Sequence, residues 1–365
     1  MNKRLIAVLV SCIPLARVFQ RYHSSALQVW KDQLWNQCQH GVTDKAFGQF
    51  RASYTGWTLL DQCLCVSVNT YQHALRDVVG LNLTRVYWGV VATVLVIMAI
   101  EGSRRGASRT VLAWLPVFGL LMNVFGVAAV TAFIWMPCYF LFAKFNADVR
   151  QWTISPSRTI AIVVSMLITY AIPALLTTLV FRTGSPAEQN SMALVQVAPL
   201  LMWTLYGALD RLLARYPSPV DTVADPVMKE KLKVVEGKDF VERTYLLIGG
   251  LNLIVYYIAY MHSQLYRGVL PWDAVKMLLS GPDNVFVGQS VEVQGQFLTS
   301  AMVFGDLAIL TLSLLLWVLL EDGIKSCLVV AVGSVLLGPG AAISFYAAYR
   351  EHRVQDSSKL VVKKD

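Results

Sequence analysis

Charged side chains are scarce in this sequence. Only 15% of its 365 residues are Asp, Glu, Lys or Arg, whereas 56% are hydrophobic. The mean hydropathy is +0.52. A soluble globular domain carries about 25% charged residues. The composition therefore excludes an ordinary soluble domain and predicts a chain that lies in a membrane.

Several motifs of soluble enzymes are also missing. The sequence has no Asp-Asp-x-x-Asp cluster that would hold magnesium and a diphosphate, no P-loop and no dinucleotide-binding glycine fingerprint. Cys63-x-Cys65 does not have the spacing of a metal site, and no His pair accompanies it. We therefore predict no metal and no cofactor. Most of the six cysteines lie in apolar runs and are expected to be small core residues.

Long apolar runs recur along the chain. They cover residues 86–101, 111–144, 158–181, 193–214, 244–262, 297–320 and 326–348, and residues 56–71 and the N-terminus add one or two more. A transmembrane helix needs about 20 apolar residues, and continuous runs of this length exclude a β-barrel. The sequence predicts an all-α fold, a polytopic transmembrane helical bundle of about seven to nine spans. The 111–144 run is too long for one span and could supply two.

The flanking segments differ in composition from these runs. Residues 1–20 combine a basic start with an apolar core of about twelve residues, which fits either a signal peptide or a retained anchor. Residues 21–55 are mixed and predict a lumenal or interfacial amphipathic segment. We assign residues 56–350 to the transmembrane bundle and residues 351–365 to a basic polar tail.

The net charge of +8 comes from basic residues beside the apolar runs. This pattern is typical of topology signals and contacts with anionic lipids, so we expect lipid and no nucleic acid as a partner. Asn82-Leu83-Thr84 is a glycosylation triplet, and the basic segment 101–109 follows the next span. Together they predict a lumenal, glycosylated Asn82, a cytoplasmic 101–109 loop and an integral protein of the endoplasmic reticulum.

Asp306 is the one charged residue between Phe297 and Leu320. At about 1.5 Å per residue it lies roughly 13 Å along a span, near the middle of the bilayer. Charged groups at this depth are unfavourable and usually functional. Apolar surroundings favour the neutral acid over the carboxylate. We therefore interpret Asp306 as a candidate proton donor.

Other acids adjoin the apolar runs. Glu321 is 15 residues beyond Asp306, roughly 22 Å along one helix, so a second acid or base near Asp306 must come from another helix. Asp61 and Glu101 are the candidates. As alternatives, Asp61 could cap or pack a helix and Glu101 could mark the end of a span.

The spans are rich in aromatic residues. We take Trp88, Tyr139, Tyr257 and Trp317 as candidate substrate-binding residues. Aromatic faces stabilise cations by about 0.5–2 kcal/mol each. The alternative for each ring is packing or a position in the aromatic belt at the membrane surface. A neutral acid between aromatic walls would suit carbocation chemistry, in which a donated proton starts a cyclisation.

A series of short motifs supports this chemistry. They are Tyr54-Thr55-Gly56 with Leu60-Asp61, Glu101-Gly102-x-Arg104-x-Gly106, Pro137-x-Tyr139, Phe304-Gly305-Asp306, Leu316-Trp317 with Glu321, and Gly338-Pro339-Gly340. In their order and spacing they resemble the fungal integral-membrane terpene cyclases of ascochlorin- and ascofuranone-type meroterpenoid pathways. The chain departs from that family's pattern in two places, because residues 66–82 are more polar and Asn123 stands where glutamine is expected.

The resemblance implies a metal-independent cyclase. Its substrate would be a hydrophobic small molecule such as a prenylated, epoxidised phenol, cyclised by proton donation. Asp306 and Glu101 would be the catalytic acids, with Asp61 as their partner. Two other functions stay open. A proton-coupled transporter would also bury an acid at mid-membrane, although we find no internal repeat, and a non-catalytic membrane scaffold would need no acid there.

Overall fold

The computed structural model describes residues 3–22, 32, 34–36, 38, 51–142, 149–216, 218–267 and 291–355. Within these ranges every regular element is a helix, which confirms the all-α fold. Five helices are long and apolar enough to cross a membrane: Val78–Ser103, Val149–Val180, Pro186–Leu213, Pro226–Leu265 and Val293–Asp322. The predicted number of seven to nine spans is not confirmed.

We number the principal helices in chain order. They are α1 Lys3–Tyr22, α2 Thr58–Arg76, α3 Val78–Ser103, α4 Leu115–Phe125, α5 Val127–Phe142, α6 156–180, α7 Pro186–Leu213, α8 Pro226–Arg267, α9 Val291–Asp322, α10 Ile324–Leu336 and α11 Pro339–Val354. The apolar runs of the sequence correspond to these helices. Most of the predicted segment 21–55 lies outside the described residues.

Helix α3 is the central element of the bundle. Every residue from Val90 to Ile100 is buried. This helix is apolar on all sides, and such a helix is stable only when neighbours surround it. It packs against α2, α8, α9 and α11. The position of any residue along α3 therefore indicates its depth in the bundle.

Contacts at the two ends of α3 show the direction of α9 relative to α3. Near its start, Gly80 lies against Ser300 of α9. Near its end, Glu101 binds Arg350 of α11, which also binds Glu321 of α9. Helix α9 therefore runs parallel to α3, and Asp306 lies at the level of Tyr87. We call the two ends of the bundle the Asp77 end and the Ser103 end, because Asp77 directly precedes α3 and Ser103 is its last residue.

The long apolar run 111–144 forms two helices that meet at Gly126. Its φ of +87° is a conformation that favours glycine. A Cβ atom added here would lie 3.7 Å from Oδ2 of Asp306. The helix break is therefore directly beside the acid in the middle of α9. Gly338, also at φ +87°, similarly separates α10 from α11.

The ends of the chain extend the bundle beyond the predicted boundaries. Helix α1 packs against α9 and α5, with Val8 and Leu15 buried. At the other end, Glu351 and Gln355 are buried. The bundle therefore reaches residue 355 instead of ending at 350. The last part of the predicted tail, 356–365, lies outside the described residues.

Two of the cysteines differ from expectation. Cys38 and Cys65 form a disulfide across a sequence separation of 27 residues. They are therefore not free core residues. Disulfides persist in oxidising compartments, such as the lumen of the endoplasmic reticulum. The sequence does not reveal this pair because connectivity cannot be read from cysteine positions alone.

Candidate functional site

Asp306 lines a cavity of about 780 Å³ between α1, α2, α3, α4, α5, α7 and α9. Its polar lining residues are Ser67, Thr70, Tyr71, Tyr87, Asn123, Gln196 and Asp306. Its aromatic walls include Phe19, Trp35 and Phe133. Binding sites for small molecules occupy about 300–1,000 Å³ and combine apolar walls with a few polar groups. The size and lining of this cavity match that description.

The helix break at Gly126 gives Asp306 an electrostatic neighbour. Helix α5 begins at Val127, which also lines the cavity. The start of a helix carries partial positive charge and unpaired backbone N–H groups. This helix end lies beside the carboxyl group of Asp306, because a Cβ atom at Gly126 would be 3.7 Å from its Oδ2.

Two tyrosines, Tyr71 and Tyr87, line the same cavity as Asp306. Tyr71 packs against the next aromatic residue of α3, Trp88. The Trp88 ring is 5.6 Å from the Tyr71 ring and tilted by 56°. A tyrosine O–H can donate a hydrogen bond, so Tyr71 adds a possible donor to the cavity wall.

Helix α2 presents a polar stripe to the cavity. Ser67, Thr70 and Tyr71 follow a spacing of three and four residues, which places them on one helix face. They belong to the stretch 66–82 that departs from the terpene cyclase pattern, and Asn123 lines the same cavity. The departures therefore fall on the cavity wall. Sequence reasoning missed Tyr71 and Tyr87 as site residues, although the polarity of 66–82 is the signal that points to Tyr71.

Glu101 does not lie in this cavity. Its carboxylate accepts hydrogen bonds from Arg104 at 2.8 and 2.9 Å and from Arg350 at 2.9 Å. It follows Tyr87 by 14 residues, about 21 Å along α3. The structure therefore does not bring Glu101 to Asp306. It places Glu101 in a buried ion cluster at the Ser103 end.

Two of the predicted substrate-binding aromatics belong to that cluster. Arg350 donates to the Tyr139 oxygen at 2.5 Å, and the Tyr139 O–H donates to Glu321 at 2.5 Å. The ring of Trp317 lies 5.2 Å from the guanidinium carbon of Arg350. Tyr139 and Trp317 are fully buried and do not line the cavity.

The other two predicted substrate-binding aromatics, Tyr257 and Trp88, lie outside the ion cluster. Tyr257 is 47% exposed, and its O–H donates to the Leu336 carbonyl at 3.2 Å. It therefore lies on the outside of the bundle. Trp88 is buried behind Tyr71, where it contacts a residue of the cavity wall. Among the four predicted aromatics, only Trp88 adjoins the site of Asp306.

Asp61 closes a loop at the start of α2. Its carboxylate accepts backbone N–H bonds from Tyr54, Thr55 and Gly56 at 3.0, 2.6 and 3.0 Å, and the Ser53 hydroxyl donates at 2.9 Å. Burial alone would raise the pKa of Asp61, but these hydrogen bonds outweigh it and lower the pKa. An ionised acid with this many donors acts as a cap, in line with the structural alternative for Asp61.

We expect Asp61→Asn to destabilise the fold by about 1–2 kcal/mol, since hydrogen bonds to a charged acceptor are lost. The folded pKa of Asp61 is lowered, so its contribution is complete above the unfolded pKa of about 4 and is lost as the pH falls further. Melting temperatures of the purified protein between pH 7 and pH 3 measure this. The wild type should lose more stability on acidification than the variant, and parallel curves would contradict the assignment.

The prediction of a glycan on Asn82 needs correction. Asn82 lies inside α3 and is buried. Its amide nitrogen donates to the Ser263 hydroxyl at 2.7 Å, and its carbonyl accepts from Arg85 at 2.9 Å. A glycan on this nitrogen would have to displace α8. The triplet is therefore a packing element in the folded protein.

Comparison with known proteins places the chain in a family. No curated protein and no solved structure matches it. Among the described residues, no group of three or more His, Cys, Asp or Glu could hold a metal ion. The family model described as the CtvD domain matches residues 7–355, which include Asp306 and the whole cavity wall. This match is consistent with the resemblance to cyclase-like proteins of fungal meroterpenoid gene clusters. Because it extends over nearly the whole chain, the protein belongs to the CtvD domain family.

Proposed function

We propose that the protein is a membrane enzyme that cyclises a hydrophobic, epoxidised or olefinic prenyl chain, as on a meroterpenoid phenol, by proton donation from Asp306. The observation that carries this proposal is a carboxyl group halfway along a spanning helix that lines a cavity of about 780 Å³. The cavity has the size of a small-molecule site. The disulfide between Cys38 and Cys65 supports a location in the endoplasmic reticulum.

The proposed reaction is an isomerisation. The carboxylic acid of Asp306 transfers its proton to the epoxide oxygen, the C–O bond breaks, and the oxygen becomes a hydroxyl group. The electrons of a nearby alkene form a new C–C bond to the resulting cation. A proton then leaves a neighbouring carbon and is returned to the Asp306 carboxylate, so atoms and charge balance without an added reagent.

The start of α5 assists the first step. When Asp306 gives up its proton, negative charge develops beside Val127 and the positive helix end. A fixed dipole at the place where charge appears lowers the barrier of the step. The rings of Phe19, Trp35 and Phe133 line the same cavity and would stabilise the cationic chain.

In this reaction Tyr71 is a positioning residue. Its O–H lines the same cavity as Asp306 and would hold the epoxide oxygen near that acid. We expect Tyr71→Phe to lower turnover by about 10²-fold, the usual effect of removing one donor of this kind. The loss should fall mainly on kcat. Tyr349→Phe, at a ring that is 60% exposed, is the matched control and should leave turnover unchanged. Wild-type kinetics in Tyr71→Phe would contradict this role.

The proposed function is tested with yeast microsomes that contain the protein. They are supplied with a farnesyl phenol whose terminal alkene is epoxidised, and with the corresponding olefin. We expect a cyclised product of unchanged mass in liquid chromatography and mass spectrometry, absent from microsomes without the protein. A diol, heavier by one water, would instead indicate epoxide hydrolysis. Conversion of neither substrate would contradict the proposal.

A proton-coupled carrier is the second candidate. The break at Gly126 beside a mid-membrane acid is the feature that favours it, because many transporters bind ions and substrates at discontinuous helices. Uptake driven by a pH gradient in proteoliposomes, without chemical conversion of the substrate, would support the carrier over the enzyme.

A further inference from the structure

A second pocket lies between α3, α6 and α8, behind Trp88. From α3 it is lined by Arg85, Trp88, Gly89 and Ala92, whose spacing places them on one face. From α6 it is lined by Ala171 and Ala174 together with larger side chains such as Tyr170, and from α8 by Ile248, Leu251 and Val255. Small side chains on two of the helices leave an apolar groove with one arginine.

Arg85 is a buried cation that pairs with no acid among the described residues. It is 8% exposed. Its Nη1 donates to the Asn82 side-chain carbonyl at 2.9 Å and its Nη2 to the Thr178 carbonyl at 2.6 Å. Its Nε has no hydrogen-bond partner, and among the described residues no carboxylate pairs with it. A guanidinium stays charged in proteins. Two neutral acceptors do not neutralise it, so within the part of the chain that the structure describes its charge has no counter-ion.

The surroundings of the groove indicate where an anion for Arg85 would come from. Arg85 is seven residues from the start of α3, about 10 Å along the helix from the Asp77 end. Beside the groove, Ile172 and Leu179 of α6 and Leu247 and Ile254 of α8 are about half exposed. Apolar side chains exposed on a spanning bundle face lipid. The groove is therefore on the lipid side of the bundle, with its charge near one membrane surface.

We propose that this groove binds an anionic phospholipid. Arg85 holds the phosphate, for which the guanidinium provides two parallel N–H donors, and an acyl chain lies along Trp88, Ala92 and Ala174. The enclosed part of the groove is only about 60 Å³. This volume holds a few methylene groups, so the ligand is an amphiphile that remains mostly in the bilayer. The site is independent of the proposed reaction.

The test uses the purified full-length protein in nanodiscs of phosphatidylcholine, with and without one-fifth phosphatidic acid. We expect the anionic lipid to raise the melting temperature of the wild type by about 5 °C, as a ligand well above its Kd does. Native mass spectrometry should show one retained phosphatidic acid. Arg85→Gln should abolish both effects. Arg182→Gln, at an exposed arginine near the same end of the bundle, is the matched control and should keep them.

A second variant covers the case in which Arg85→Gln fails to fold. Ala171→Leu narrows the groove, leaves Arg85 in place and should reduce lipid retention at least tenfold. Full retention in both Arg85→Gln and Ala171→Leu would overturn the site. If inorganic phosphate alone stabilises the wild type as well as the lipid does, the acyl groove is wrong and the anion is a soluble one.

Discussion

We expect Asp306→Asn to lower conversion of the proposed epoxide substrate by at least about 10³-fold, while the protein level and melting temperature stay near those of the wild type. General acid catalysis contributes about 10²- to 10⁴-fold, and an amide has no acidic proton to give. Asparagine keeps the size and shape of the side chain. Removing a carboxyl group from the middle of a spanning helix does not cost stability, because the acid is itself unfavourable there.

Two further variants test whether the loss of activity is due to the missing proton at Asp306. Asp306→Glu keeps a transferable proton on a longer side chain and should retain a measurable fraction of the activity. Asp210→Asn removes an acid that pairs with Arg158 at 3.2 Å at the Ser103 end, away from the cavity, and should behave like the wild type. Turnover and thermal stability are measured on the same preparations. An unchanged rate in Asp306→Asn would remove Asp306 as the proton donor.

For Glu101→Gln we expect a loss of stability and not of catalysis. The free energy of unfolding should fall by about 3–5 kcal/mol, and activity should fall only as far as folded protein is lost. Glu101 accepts from two buried arginines, Arg104 and Arg350. Neutralising it leaves these guanidinium groups with too little negative charge around them. Breaking a buried ion pair from one side is costly because the remaining charge cannot reach water.

A double-mutant cycle tests the origin of the loss. Arg350→Met should also destabilise the protein, and the double variant with Glu101→Gln should lose less than the sum of the two single losses. Thermal unfolding in detergent measures all four proteins. If Glu101→Gln keeps the wild-type melting temperature but loses turnover, Glu101 is a catalytic acid, as the resemblance to terpene cyclases implies, and its assignment to the ion cluster alone is wrong.

These two acids show how far sequence reasoning extends. The position of Asp306 along its helix follows from counting residues in one apolar run, and the structure places it halfway along α9. The pairing of Glu101 with Arg350 joins residues 249 positions apart. No local pattern carries that information, and both acids therefore look alike as isolated charges beside apolar runs.

Asp61 and the cavity wall are intermediate cases: the sequence indicates part of their role, and the structure supplies the rest. The motif Tyr54-Thr55-Gly56 stands close enough to Asp61 in sequence that a cap is one of the two interpretations available from the residues. Only the coordinates show three backbone N–H groups converging on the carboxylate. The polarity of 66–82 marks an unusual helix, but the face it presents to Asp306 depends on how α2 packs.

The sequence by itself determined an all-α fold with helices long and apolar enough to cross a membrane and an acid halfway along one of them, because these properties depend on composition, run length and the fixed rise of a helix. The tertiary structure alone decided which charges neutralise one another, which cysteines pair and which side chains surround the cavity. Those properties depend on contacts between helices that are distant in the chain. Many packings satisfy the same apolar pattern, and the one in the structure places Tyr71, Tyr87 and Asp306 around one cavity.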